Sequence, residues 1–262
     1  MVTEKKNIFN LDFDALTLTE ATTQITEAAR NGRKGLVVTP NVDHIVVLES
    51  DNDLRKTYHE ALFIFADGMP IVWLSKFLTG KKLPERVTGA DLFNTVCESA
   101  TEHGLRIMLM GGMPGIANRA AENLKKKFTR LNIVGTYCPP VGFDQSEAET
   151  VNMINYCNDK APDILFFGVG FPKQEKWAYA NMHRLKVGPI LCVGAAIDFA
   201  AGNIQRAPEL MQKTGFEWLW RLLSEPKRLW KRYLIRDSRF IFLAAREITR
   251  HLKSSRKLGI HL

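Results

Sequence analysis

Cysteine is sparse and unpaired along the chain: Cys97, Cys138, Cys157 and Cys192 are scattered, with no C-x-x-C spacing. That argues against a zinc ribbon or a disulfide framework and fits a protein held reduced in the cytosol. Long apolar runs are missing as well. The longest, such as "ILFFGVGF", are strand-sized, far short of the roughly 20 residues that span a bilayer. The opening "MVTEKKNIFNLDFDALT" is charged and lacks an apolar segment, so no secretory leader is expected.

Several signatures that would settle the chemistry are absent. Both glycine-rich stretches, "GGMPGIAN" and "GVGFPKQ", miss the G-x-G-x-x-G spacing, and no P-loop, G-x-S-x-G or H-E-x-x-H occurs. His44, His59, His103 and His183 stand alone and are expected at surface or ordinary helix positions. No His/Cys cluster has ligand spacing, so no metal is assigned and no cofactor is expected.

What is present is a globular composition, 45% hydrophobic and 24% charged over 262 residues, with an uneven charge. Residues 206–262 hold 14 Lys and Arg against 5 Asp and Glu, a net of +9, whereas the rest of the chain nets −1. That last fifth also holds Trp218, Trp220 and Trp230, three of the five tryptophans.

Residues 1–205 alternate continuous apolar runs with helical patterns. The runs are "GLVVT" (35–39), "LFIFA" (62–66), "RIMLMG" (106–111), "NIVGTY" (132–137), "DILFFGV" (163–169) and "PILCVGA" (189–195). Unbroken apolar runs are what strands covered on both faces require, so the expected fold is α/β: Rossmann-like, a mostly parallel sheet flanked by helices. From 206 to 262 the pattern is helical without strands, giving a basic C-terminal appendage. The turns "VTPN", "ADGMP", "GGMPG" and "GVGFP" each follow a strand run, so they are expected to share one sheet edge and line one crevice.

Asp67 ends the run "LFIFAD" just before "GMPIVWL", where it either caps the next helix or acts as a general base. Thr39 and Asn41 flank Pro40 and equally suit a turn, while the "GGMPG" amides could serve a turn or a phosphate. The pairs "DFD" (12–14) and "DND" (51–53) resemble metal-binding D-x-D, but their positions outside strand ends point to capping and turn roles. In the tail, Arg228, Arg232, Arg236 and Arg239 fall near one helical face. The arginines suit a solvated amphipathic face, nucleic-acid phosphates or a membrane interface; their interleaving with tryptophan favours the membrane.

Five motifs then occur in order: "TPNVDH" (39–44), "ADGMPIV" (66–72), "RVTGADL" (86–92), "GVGFPKQEKW" (168–177) and "GAAIDFAAGNIQRAP" (194–208). Together with the Arg/Trp-rich tail they resemble the WecG/TagA/CpsF glycosyltransferases over essentially the whole chain. The resemblance implies an inverting, metal-independent transfer from a UDP-sugar donor to a polyprenyl-diphosphate-linked sugar acceptor. The donor sugar would be of the N-acetylmannosamine type or glucose. The products would feed wall teichoic acid or other cell-surface polysaccharide and exopolysaccharide. It also implies a peripheral membrane protein on the cytoplasmic face of the plasma membrane, docked through the appendage on an anionic surface. No nucleic-acid partner is implied, and the oligomeric state stays open, a homo-oligomer included.

Carried onto this chain, the resemblance makes Asp67 the base, with Thr39 and Asn41 holding substrate beside it. Arg86 would meet sugar or phosphate, Gln174 the donor or acceptor, and Asp198 the nucleotide. Gly111 and Gly112 contribute backbone only, and Arg221, Arg228 and Arg232 serve the lipid diphosphate and membrane. A non-catalytic, nucleotide-binding membrane adaptor of the same fold is the alternative.

Overall fold

The computed structural model describes residues 3–257, with side chains described through Lys253; residues 258–262 of the expected appendage lie outside the described residues. The chain opens with an antiparallel hairpin, β1 (Lys5–Ile8) and β2 (Leu11–Asp14). Its turn residues Phe9 and Asn10 have φ of 55° and 59°, the left-handed pair that a two-residue hairpin loop demands. This hairpin corrects the expectation for "DFD". Asp14 caps nothing: it is a buried strand residue whose Oδ2 accepts from the Ile64 amide at 2.9 Å. Asp12 accepts from Asn7 across the same hairpin. "DND" does cap, since Asp51 accepts from the Leu54 amide.

All six apolar runs are strands of one parallel sheet: β3 (Gly35–Val38), β4 (Phe63–Ile64), β5 (Arg106–Gly111), β6 (Asn132–Tyr137), β7 (Ile164–Gly168) and β8 (Pro189–Cys192). Their order is β4-β3-β8-β7-β5-β6. Side chains alternate between two apolar layers. Ile107, Leu109 and Phe166 meet α1 (Leu18–Arg30), α5 (Gly89–His103), α6 (Ile116–Lys127) and α9 (Ala196–Ala200). Met108, Met110 and Phe167 meet the other layer: the hairpin, α2 (Val42–Leu48), α3 (Asn52–His59), α4 (Met69–Thr79), α7 (Glu147–Lys160) and α8 (Lys173–Asn181). Each fully buried aromatic or aliphatic side chain contributes about 1.5–3 kcal/mol, so covering both faces is what holds the sheet. β6 is the exception to two-sided burial: it has one strand neighbour and stays half-buried.

After β8 only helices follow: α10 (Glu209–Thr214), α11 (Glu217–Ser224), α12 (Pro226–Trp230), a π-helical turn (Lys231–Arg236) and α13 (Arg239–Lys257). α13 packs on α2 and α4. Its buried Phe240 packs at a tilt against Phe9 of the hairpin turn, ring centroids 5.6 Å apart, and Arg250 donates to Asn10 Oδ1. Among the described residues no helix is long and apolar enough to cross a membrane.

Candidate active site

Because all strands of the large sheet are parallel, the loops after their carboxyl ends share one edge. The chain leaves β3 toward β4 and leaves β5 toward β6, so these loops diverge and open a crevice over β7 and β8. The cleft is about 810 Å³, the size of a small-molecule site. Thr39, Asn41, Asp67, Gly112, Gln174 and Asp198 line it from the sheet domain; Arg221, Arg228 and Arg232 line it from the helical tail. Arg86 and Gly111, the other two residues expected there, are not among the residues that line it.

Asp67 sits on the loop between β4 and α4, fixed by its own amide donating to Pro40 O at 3.0 Å. It does not cap α4: Gly68 holds that position, with no side-chain cap bond. Burial raises its carboxyl pKa to about 7; Arg86 and the Gly89 amide pull it down, while Glu217 and Asp91 push it up. Arg86 is itself paired, 3.4 Å from Glu217 of α11. Arg206 extends the network, 2.7 Å from Asp91 and 3.6 Å from Glu217. The Asp67 carboxyl therefore borders an ion-pair network whose cations are already engaged with other acids.

Glycines set the cleft floor. A Cβ on Gly111 would lie 2.2 Å from Gly168 O, and one on Gly168 would lie 2.6 Å from Gly194 O, so the ends of β5, β7 and β8 touch backbone to backbone. The Gly112 amide donates to Gly168 O at 3.2 Å, which engages the donor that the "GGMPG" turn would have offered a phosphate. Gln174, 2% exposed, clamps two loops. Its Oε1 accepts from the Gly170 and Gly194 amides at 3.3 and 3.2 Å, and its Nε2 donates to Glu175 Oε1 at 2.8 Å. Burial raises the Glu175 carboxyl to about 7, with the Gln174 hydrogen bond opposing.

Asn41 takes the turn role: its Oδ1 caps α2 by accepting from the Asp43 and His44 amides. The Thr39 side chain is buried beside Gly89 in the cleft wall. Asp198 accepts from Asn203 Nδ2 at 2.9 Å, and Arg119 donates to Asn203 in turn.

The tail arginines reach the same space. Arg228 pairs with Glu225. Arg232 and Arg236 converge on Asp43, at 3.0 and 2.6 Å. Arg221 keeps a buried Nε without a hydrogen-bond partner among the described residues. Burial and the neighbouring Asp43 carboxylate raise the pKa of Asp237.

The sequence did not single out Asp43, Arg206, Glu217 or Glu175 as site residues; Asp43 was present only as a letter of "TPNVDH", and Arg236 only as a member of the tail's arginine face. His44 takes a helix position, on α2, as the sequence led one to expect, but it is buried and not isolated. It is 8% exposed in the cleft wall, stacked on Phe171 with centroids 3.8 Å apart, and its Nδ1 lies 2.9 Å from the Tyr58 hydroxyl. Its partners come from two separate segments, so spacing along the chain carries no signal for it.

Two proteins of known activity are similar over most of the chain. Both are described as N-acetylglucosaminyldiphosphoundecaprenol N-acetyl-beta-D-mannosaminyltransferase. One, from Bacillus spizizenii, is 28% identical over 232 residues, 88% of this chain and 87% of that protein. The other, from Bacillus subtilis, is 28% identical over 199 residues, 76% of this chain and 75% of its own length. The model of the Glycosyl transferase WecG/TagA/CpsF family matches residues 6–254, so this chain, a Rossmann-like domain with arginines brought to its cleft by a helical tail, belongs to that family of glycosyltransferases.

Proposed function

We propose that this chain transfers a sugar, of the N-acetylmannosamine type or glucose, from a UDP-sugar to a polyprenyl-diphosphate-linked sugar, with inversion and with Asp67 as general base. The observation that carries the reading is the Asp67 carboxyl, held near pH 7 in the wall of a cleft rimmed by tail arginines. A hydroxyl is a poor nucleophile until its proton has somewhere to go, and a base with a pKa near the working pH takes it most effectively. The acceptor oxygen bonds to the anomeric carbon, the bond to the UDP oxygen breaks, and the proton moves to the Asp67 carboxylate. Departing UDP develops negative charge; in this metal-independent mechanism Arg221, Arg228 and Arg232 meet it. Arg86, tied to Glu217, tunes Asp67 rather than meeting substrate.

The relatives' activity supports N-acetylmannosamine as donor sugar and a polyprenyl-diphosphate-linked N-acetylglucosamine as acceptor, in the assembly of a cell-wall or related surface polymer. Exposed Trp218, Trp230, Leu234 and Ile235 among the basic residues of the tail support peripheral docking on the cytoplasmic membrane face. On this reading residues 206–262 form the membrane-associating unit and residues 1–205 the transferase unit.

The test is incubation of the full chain with bilayer-borne acceptors and a panel of UDP-sugars, read by mass spectrometry. The expected result is a mass gain with one donor, lost in Asp67→Asn. No gain with any donor on acceptors bearing N-acetylglucosamine or glucose would overturn the reading in favour of a non-catalytic nucleotide-binding adaptor.

A further inference from the structure

His44 has one nitrogen committed and one free. Nδ1 faces the Tyr58 hydroxyl at 2.9 Å, whereas Nε2 has no hydrogen-bond partner among the described residues, although the residue lines the cleft. A histidine that served packing alone would have little reason to be held this firmly beside open space. The Phe171 ring lies at 12° to the imidazole, and Tyr58 is fully buried behind it.

The protonation state follows from the surroundings. Nδ1 is the one hydrogen-bond partner of the fully buried Tyr58 hydroxyl among the described residues, so the phenol donates to it; accepting instead would leave its own O–H buried without an acceptor. The imidazole proton then sits on Nε2. Burial, then Arg232 and Arg236, depress the His44 pKa well below its ordinary value, so the ring is neutral. Cleft, stack, phenol and arginines thus present a fixed, uncharged N–H donor beside two guanidinium groups.

We propose that His44 binds a phosphate oxygen of the diphosphate common to the nucleotide donor and the lipid-linked acceptor, through Nε2–H, next to Arg232 and Arg236. This rests on the glycosyltransferase reading for the presence of a diphosphate in the cleft. A neutral donor adds a directed hydrogen bond without a third positive charge to be desolvated there. Its stack and the Tyr58 hydrogen bond fix the ring before ligand arrives, so little ordering entropy is lost on binding.

Long-range proton–nitrogen spectra of the full chain carrying nitrogen-15 histidine test it, with inorganic pyrophosphate as the first probe. The expected resting spectrum shows His44 as the Nε2–H tautomer, and pyrophosphate shifts Nε2 far more than Nδ1. The double substitution His44→Phe, Tyr58→Phe keeps the stack and removes both partners of the buried hydrogen bond. It should weaken pyrophosphate binding about tenfold, the worth of one hydrogen bond to a charged group, whereas Tyr58→Phe alone should cost less. UDP and farnesyl diphosphate, titrated separately, show which substrate His44 serves: the one whose affinity falls in the double variant. An Nδ1–H tautomer at rest, or equal pyrophosphate affinity in wild type and double variant, would overturn the proposal. Pyrophosphate binding requires no turnover, so a failed transfer assay leaves this outcome readable.

Discussion

Asp43 on α2 lies 2.6 Å from Arg236 and 3.0 Å from Arg232, both on the π-helical turn of the tail, and is itself 2% exposed. One buried carboxylate thus holds two cleft arginines and joins the tail to the sheet domain. Removing one partner of a buried pair costs more than the pair contributes, because the other charge is left behind. Asp43→Asn should therefore destabilise the chain by about 1–3 kcal/mol and lower transfer activity. Calorimetry with the transfer assay checks both. The Asp237 carboxyl, raised partly by Asp43, should also fall toward an ordinary aspartate value, visible by carbon-13 NMR.

Asp67 carries a pH prediction. Its folded pKa, about 7, lies above the ordinary aspartate value of 3.8, so the folded state binds the proton more tightly than the unfolded state. The ionised carboxylate therefore costs stability, and the cost grows as pH rises from about 4 to about 7 and then levels off. Asp67→Asn removes that cost. It should raise Tm at pH 8 relative to wild type, show little gain at pH 4, and lower kcat by about 10²–10⁴-fold. The wild-type rate should climb with pH on an acid limb near 7. Equal Tm differences at both pH values would refute the burial account.

The clamp at Gln174 predicts a geometric defect. Gln174→Ala leaves the Gly170 and Gly194 amides without their acceptor and costs about 1–3 kcal/mol. Gln174→Glu keeps an acceptor but loses the donor to Glu175 and sets two acids side by side. Both variants should raise KM for the donor, Gln174→Glu increasingly so as pH rises and the paired acids ionise, Glu175 above its wild-type value of about 7 because its Gln174 donor is lost. Steady-state kinetics at pH 6 and pH 8 separates the two variants.

Much of this architecture was legible because it is written in runs. Leu165, Phe166 and Phe167 in sequence leave no polar face, so β7 had to be covered on both sides, and the parallel sheet and its single loop edge followed. The hairpin was not legible. Its strands have four residues each, Lys5 and Asn7 alternate with Lys6 and Ile8, and its turn is Phe9–Asn10, without the glycine that usually marks such a loop. Buried Lys6 is satisfied by its bond to Lys81 O, 75 residues away, with Glu4 at 3.6 Å beside it. Asp67 could be placed on the crevice from its position after a strand, but its pKa depends on Arg86, Glu217 and Asp91, which meet only in the fold. Arg228, Arg232 and Arg236 were readable as one face; that Asp43 receives two of them was not.

The tail also bears on where the enzyme works. Leu234 and Ile235 are exposed, 59% and 56%, on the same π-helical turn whose Arg232 and Arg236 line the cleft. One short element therefore offers apolar side chains outward and cations inward. Cutting the chain after residue 205 would blur this, because Phe240 and Leu229 are buried and their loss would expose α2 and α4. Charged point substitutions avoid the difficulty. Leu234→Glu with Ile235→Glu should leave stability within about 1 kcal/mol of wild type, and Tm nearly unchanged, as exposed positions allow. The pair should lower sedimentation with anionic vesicles and transfer to a long-chain lipid acceptor, yet spare transfer to a short, water-soluble analogue. Docking would then deliver the lipid substrate without building the site. Loss of transfer to both acceptors at unchanged Tm would instead mean that the docked tail completes the arginine rim.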